Sequence, residues 1–359
     1  MDALDSIFID DIMAIIFEYL EIDHTTLLVE YARTKGNGMR LLNGQKINSV
    51  CFDNAQIKNS SIDMICTMST FLKTQIMFCH LNTKYFNTTL NGTCFLDNKH
   101  SSIFFQHTQL NDVSFVNEEI KDMTLTNCRI LNCAIYGLKV NNLLFNCCDI
   151  SFNIDRMGKT VNTIGSLEVI NSNMVSARIA YATIHNWSIS MSQIKRCCVS
   201  RTNIASIKIR NTHIDGTTFK NIVIQSGYMD DIKWSVCILK NILFDWIVFT
   251  KNIFIGCNII GCTMVGVCIK HTSFQNTMIN VDCNRCAISR TTFQGCVMSG
   301  KMLETKINDV LFNYCEINIL FTRCQFVRCR FNNMVNRNIS FVDCTFDNCS
   351  HDGERILTQ

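Results

Sequence analysis

The sequence predicts an all-β solenoid, a four-sided parallel β-helix with a short helical segment at its N-terminus. Three observations predict it. Apolar residues recur every five places, small residues alternate with large ones inside that repeat, and the 359 residues include no proline.

Triplets of a small or apolar residue, any residue, and a large apolar residue recur at a step of five. Cys128-Arg129-Ile130 is followed by Cys133-Ala134-Ile135, and Cys324-Gln325-Phe326 by Cys329-Arg330-Phe331. One frame runs from Ile103 to Cys148. A longer one runs from Leu167-Glu168-Val169 to Thr277-Met278-Ile279, twenty-three repeats in phase. Later frames start at Cys286, Thr305 and Ile319, and earlier ones at Val50, Thr74 and Thr83. Five is neither the helix period nor the strand period. It fits a short strand and a corner: two residues separated by one point to the same side, and the next two turn the chain. Four sides close a coil of about twenty residues, stacked about 4.8 Å apart over a continuous core. That predicts about fifteen coils. Each change of frame loses one residue, which a four-residue side would absorb.

The lack of proline agrees. A chain this long carries roughly 18 at ordinary usage, and proline cannot donate to a ladder.

The alternation Cys-x-Phe and Thr-x-Phe resembles the pentapeptide-repeat family over about 300 residues. The resemblance implies a right-handed quadrilateral β-helix, and no single function, because such folds host several. It points to a secreted bacterial effector, of the type III virulence kind, that binds a host protein. Two alternatives stand beside it: an F-box-like adaptor, and a DNA-mimicking topoisomerase-binding protein. A net charge of +3 and 18% charged residues disfavour the mimic, which needs a field of one sign. The same weak balance gives no reason to expect a nucleic-acid partner.

The domain organisation read from the frame is residues 1–46 as an N-terminal segment, 47–351 as the β-helix and 352–359 as a tail. The tail is too short for the ligase domain that follows the β-helix in some effectors of this type. In the first segment Leu4, Phe8, Ile12, Ile15, Ile16, Tyr19 and Leu20 recur at helical spacing. This segment could cap the open end of the solenoid. Ile9-Asp10-Asp11-Ile12 with Ile15-Ile16-Phe17-Glu18-Tyr19-Leu20 also resembles the first F-box helix, with Phe8-Ile9 in place of the family's Leu-Pro. On that reading Ile12, Ile16, Tyr19 and Leu20 would meet a ubiquitin-ligase scaffold.

Twenty-two cysteines suggest a disulfide framework only until their spacing is read. Fifteen fall on the small inward position, where a free thiol packs as a small hydrophobe. Cys283 and Cys286 form the single CxxC, with no second pair for zinc. The eight histidines show no ligand spacing, and HExxH, P-loop and GxSxG motifs are absent. The expectation is a non-enzyme with no cofactor and no metal. No apolar run reaches the roughly 18 residues of a membrane span, so the chain is expected in a reducing compartment, the cytosol or a host cytosol. Glu118 and Asn252 fall on inward positions and need buried partners.

With the core assigned to packing, binding falls to the outward residues. From 223 to 253 the outward position turns apolar: Val223, Tyr228, Ile238, Leu243, Val248 and Ile253, with Trp246 at a corner. A contiguous exposed apolar patch marks a partner site, and aromatic anchors strengthen it. A basic set lies just upstream: Lys195, Arg196, Arg201, Lys208, Arg210, Lys220, Lys233 and Lys240.

Overall fold

The computed structural model describes residues 43–48, 51–53, 56–58, 61–77, 79–155, 161–335 and 338–355. Every described element is a strand, and the chain forms a parallel β-solenoid of about fourteen turns, close to the fifteen expected. One antiparallel pair, Ser350–His351 with Glu354–Arg355, stands at the end of the described chain. The F-box-like positions Ile12, Ile16, Tyr19 and Leu20, and all of the segment before Asn43, lie outside the described residues. The strand Asn43–Asn48 already pairs in parallel with Ser61–Thr67.

Two compact units are present. The first runs to Asn153 and takes in Asn162; the second holds Ile154 and the chain from Thr163 onward. In the second unit each coil has four sides. Cys198, Asn203, Lys208 and His213 pair with Thr218, Val223, Tyr228 and Lys233, twenty residues on. In the first unit Gln109 pairs with Arg129 and Ser114 with Ala134 in the same way.

The five-residue period has the cause inferred from sequence. Residues at the two inward positions are buried and the residue between them is not, except on the last coil, where Ile339, Phe341, Cys344 and Phe346 are partly or fully exposed. The large inward residues stack into columns. Trp234, Phe254, Phe274, Phe293, Phe312 and Phe331 form one ladder with centroids 5.4, 4.7, 4.9, 5.1 and 4.9 Å apart. That is the strand spacing, so coil stacking and ring stacking are satisfied together. A void of about 10 Å³ beside this ladder, lined by Phe244, Phe249 and Phe274 among others, is no larger than one water.

Small inward residues do more than fill space. Thr212 Oγ1 donates to the Arg210 carbonyl at 2.7 Å, and Ser192 Oγ to the Ser190 carbonyl at 2.7 Å. Cys128 Sγ reaches the Thr126 carbonyl at 3.3 Å and the Phe105 carbonyl of the preceding coil at 3.4 Å. Thr, Ser and Cys interchange here because each is small and each carries a donor for a corner carbonyl.

Corners demand the left-handed conformation. Asn127, Asn132, Asn221 and Asn241 adopt φ between 52° and 54°, where Asn and Asp are tolerated better than most residues. Bulky Val236 and Trp246 take the same conformation, at φ 51° and 52°.

The lost residues fall where four-residue sides were expected. Val281, Gly300 and Ile319 are aligned in successive coils, so the short side recurs on one face. Those coils have nineteen residues: Cys268 pairs with Ala287, and Ala287 with Lys306. Coils of nineteen also open the first unit, where Thr70 pairs with Thr89. The change from nineteen to twenty is absorbed by a bulge between His100 and Ser102.

Candidate partner-binding surface

The outward residues of the second unit divide among the four sides. Val223 and Leu243 are paired on one side. Tyr228 and Val248 are paired on the next. Lys233 and Ile253 lie on the third, and Thr218 and Ile238 on the fourth. The seven apolar residues therefore form two groups. Trp246 stands at the corner joining the sides of Leu243 and Val248, which brings Val223, Leu243, Trp246, Tyr228 and Val248 to one edge. Ile253 and Ile238 meet at the corner of Val236, away from that edge.

Trp246 is 68% exposed and Val248 37%; Val223, Tyr228 and Leu243 are partly exposed. The indole lies over Gly266 of the next coil, where an added Cβ would meet ring carbons at 2.9 Å. Arg210 stacks over the Tyr228 ring at 4.4 Å, a cation–π contact that holds the ring against the sheet. In the second group Ile238 is 39%, Ile253 40% and Val236 65% exposed. Val236 was not among the candidates read from sequence, because it lies at a corner and the search followed the middle position of each triplet. Met278 and Val297 continue the Ile238 column and are exposed as well.

The basic set is spread in the same way. Lys208 precedes Tyr228 on its side, and Lys220 pairs with Lys240 on the Ile238 side. Arg196 and Arg201 occupy corners, Arg201 over the Tyr181 ring at 5.0 Å. A second group was not singled out from sequence. Lys251, Lys270, Arg290 and Lys306 are exposed on the Val248 side, on four successive coils. Their irregular offsets within the repeat hide the alignment until the nineteen-residue coils are known. Two to four coils before Trp246 on the same edge, Ser166, Glu168, Asn186, Ser188, Ser206 and Lys208 line an open groove of about 400 Å³.

Among the described residues, one buried carboxylate lies in the interior, in a polar cluster of the first unit. Glu118 and His100 are fully buried, with Glu118 Oε2 against His100 Nε2. Glu118 Oε1 accepts from the Asn98 backbone N–H at 3.2 Å and from Asn98 Nδ2 at 3.0 Å. Asn98 Oδ1 in turn accepts from the Cys79 N–H at 2.8 Å. Asn98-Lys99-His100 keeps the five-residue step, but both inward residues are polar, which hid this repeat in the sequence. Asn252 is satisfied likewise, donating to the Met229 carbonyl at 2.8 Å and accepting from Ile232 N–H at 3.2 Å.

The described cysteines are free thiols, and fourteen of the fifteen assigned to small inward positions are buried, Cys344 being partly exposed. Burial pushes the Cys66, Cys133 and Cys329 thiols up to about 12, and Cys197 and Cys262 to about 11. Cys283 is raised by its neighbour Cys286 and by burial. Among the described residues, no three His, Cys, Asp or Glu side chains are grouped to hold a metal ion, and no helix is long and apolar enough to cross a membrane.

No family model matches the chain, and no curated protein matches it. Similar solved structures include the periplasmic alginate epimerase AlgG, at 8% identity and a TM-score of 0.29, covering 78% of this chain and 77% of that one. HetL, a pentapeptide repeat protein involved in heterocyst differentiation regulation in a Nostoc cyanobacterium, is 11% identical with a TM-score of 0.23, covering 68% and 92%. QnrB1, a plasmid-mediated fluoroquinolone resistance protein, is 13% identical with a TM-score of 0.24, covering 71% and 91%. At these values they assign neither family nor activity, and the fold rests on the chain's own strand pairing.

Proposed function

We propose that the chain is a non-enzymatic interaction scaffold of pentapeptide-repeat type that docks a protein partner along the Trp246 edge. The observation that carries this reading is Trp246 itself. A bulky residue in the left-handed region costs about 1–2 kcal/mol, and this one is also 68% exposed. Neither feature helps folding, whereas a desolvated tryptophan is a common anchor of protein interfaces. The filled core supports the same reading, since it leaves binding to the outside. The thiols suit a reducing compartment, which fits a secreted effector acting on a protein in a host cytosol. The cations beside Trp246 have the opposite sign to a phosphate mimic.

Site-specific photocrosslinking tests this. With p-benzoylphenylalanine at position 246, a discrete covalent adduct with one protein species is expected in cells, and none with the probe at Thr218 on another side. Equal adducts at both positions, or none at 246, would overturn the reading.

A further inference from the structure

The Val248 side continues beyond Trp246 as a strip whose charge stands apart from the rest of the chain. On the four coils from Ile247 to Val310 this side carries Lys251, Lys270, Arg290 and Lys306, against one carboxylate, Asp309. The formal excess of three on this one side equals the net charge of the whole chain, +3. Lys251, Lys270 and Lys306 make no ion pair among the described residues. Asp309 is already held by Arg328, at 2.6 Å to Nε and 2.9 Å to Nη2. Asp230 and Asp231 bound the strip on the coil before Lys251, and Asp245 adjoins Trp246 on the Leu243 side.

We infer that this strip docks an acidic protein segment that carries an apolar anchor. The inference rests on the scaffold reading and adds the partner's chemistry. Charge complementarity selects an acidic partner and excludes a basic one. The strands beneath are paired on both sides, so a partner cannot join as an added strand. It crosses the coils and is read by side chains. Four cations on successive coils span roughly 15 Å at the strand spacing, which an extended run of about five residues covers. The anchor sits against Trp246, Val248 and Leu243. A single-stranded nucleic acid fits less well: it needs successive stacking platforms, and beyond Trp246 the strip offers a single exposed aromatic ring, His271, at the corner between Lys251 and Arg290.

The test uses the full chain and a labelled synthetic peptide, Phe-Leu followed by six glutamates, read by fluorescence anisotropy. Comparators are the same peptide with lysines or glutamines, and a twelve-nucleotide single-stranded DNA. The glutamate peptide is expected to bind in a salt-sensitive manner. Lys251→Glu/Lys270→Glu is expected to weaken it at least tenfold, and Lys220→Glu/Lys240→Glu to leave it unchanged. A thermal melt of each variant separates lost binding from lost folding. The inference falls if the lysine or glutamine peptide binds as well, if the DNA binds more tightly, or if both lysine pairs matter equally. If the glutamate peptide fails while the crosslink at position 246 persists, the charge assignment falls and the scaffold reading stands.

Discussion

At the scale of the residue, the buried Glu118–His100 pair is the sharpest departure from an apolar core. A buried pair is weak support for stability, but removing one partner strands the other. Glu118→Leu leaves His100 without its carboxylate and two Asn98 N–H donors without an acceptor. A loss of about 3–5 kcal/mol is expected in urea unfolding. His100→Leu/Glu118→Leu is expected to recover most of it, because the apolar columns of Ile120 and Val140 then continue past the bulge. A double variant as unstable as the single one would show that the cluster fixes the register between nineteen- and twenty-residue coils. These residues were half legible. Glu118 breaks the inward pattern visibly, but its partner lies eighteen residues back, and only the coil geometry brings the two together.

At the scale of the element, the unit is the side of the coil. Its sequence code is a small donor, an outward residue, a large apolar residue and a corner that favours Asn, Asp or Gly. That code made the fold readable, because each part has a local physical cause. Where one residue is dropped the code still holds, but the backbone tightens. Gly300, at φ 118°, sits on such a short side, and an added Cβ would meet the Val281 carbonyl oxygen at 2.0 Å. Gly300→Ala is expected to cost about 2 kcal/mol or more, measured against Gly261→Ala. At Gly261 the nearest atom is the Asn241 side-chain oxygen, which can move. Equal costs would show that the short side is not the constraint. The surface was less legible. Period five places each outward residue on a side, but which sides adjoin depends on coil length. The sequence therefore suggested one patch of seven residues where the coil makes two groups.

At the scale of the whole molecule, the thiols set a pH dependence. Five core thiols lie well above the ordinary 9.0, pushed to about 11–12 by burial. Between pH 9 and 12 the unfolded chain loses protons that the folded chain keeps, so stability falls as pH rises through this window. Well below pH 9 these groups contribute no slope. A melting temperature that is flat from pH 7 to 8.5 and drops above pH 9 is expected. Alkylation at pH 8 is expected to modify the exposed Cys147 before any of these five. Rapid modification of Cys133 or Cys329 in the folded chain would contradict the packing.

The three tryptophans test the central claim, that a five-residue step sets which side chains face in and which face out. Trp187 and Trp234 are 2% and 1% exposed, and Trp246 is 68%. Iodide quenching of Trp246→Gly against the unaltered chain reads this directly. The variant is expected to fold, to lose the red edge of its emission and to become nearly insensitive to iodide. Quenching that persists in the variant would place Trp187 or Trp234 in solvent and contradict the four-sided coil.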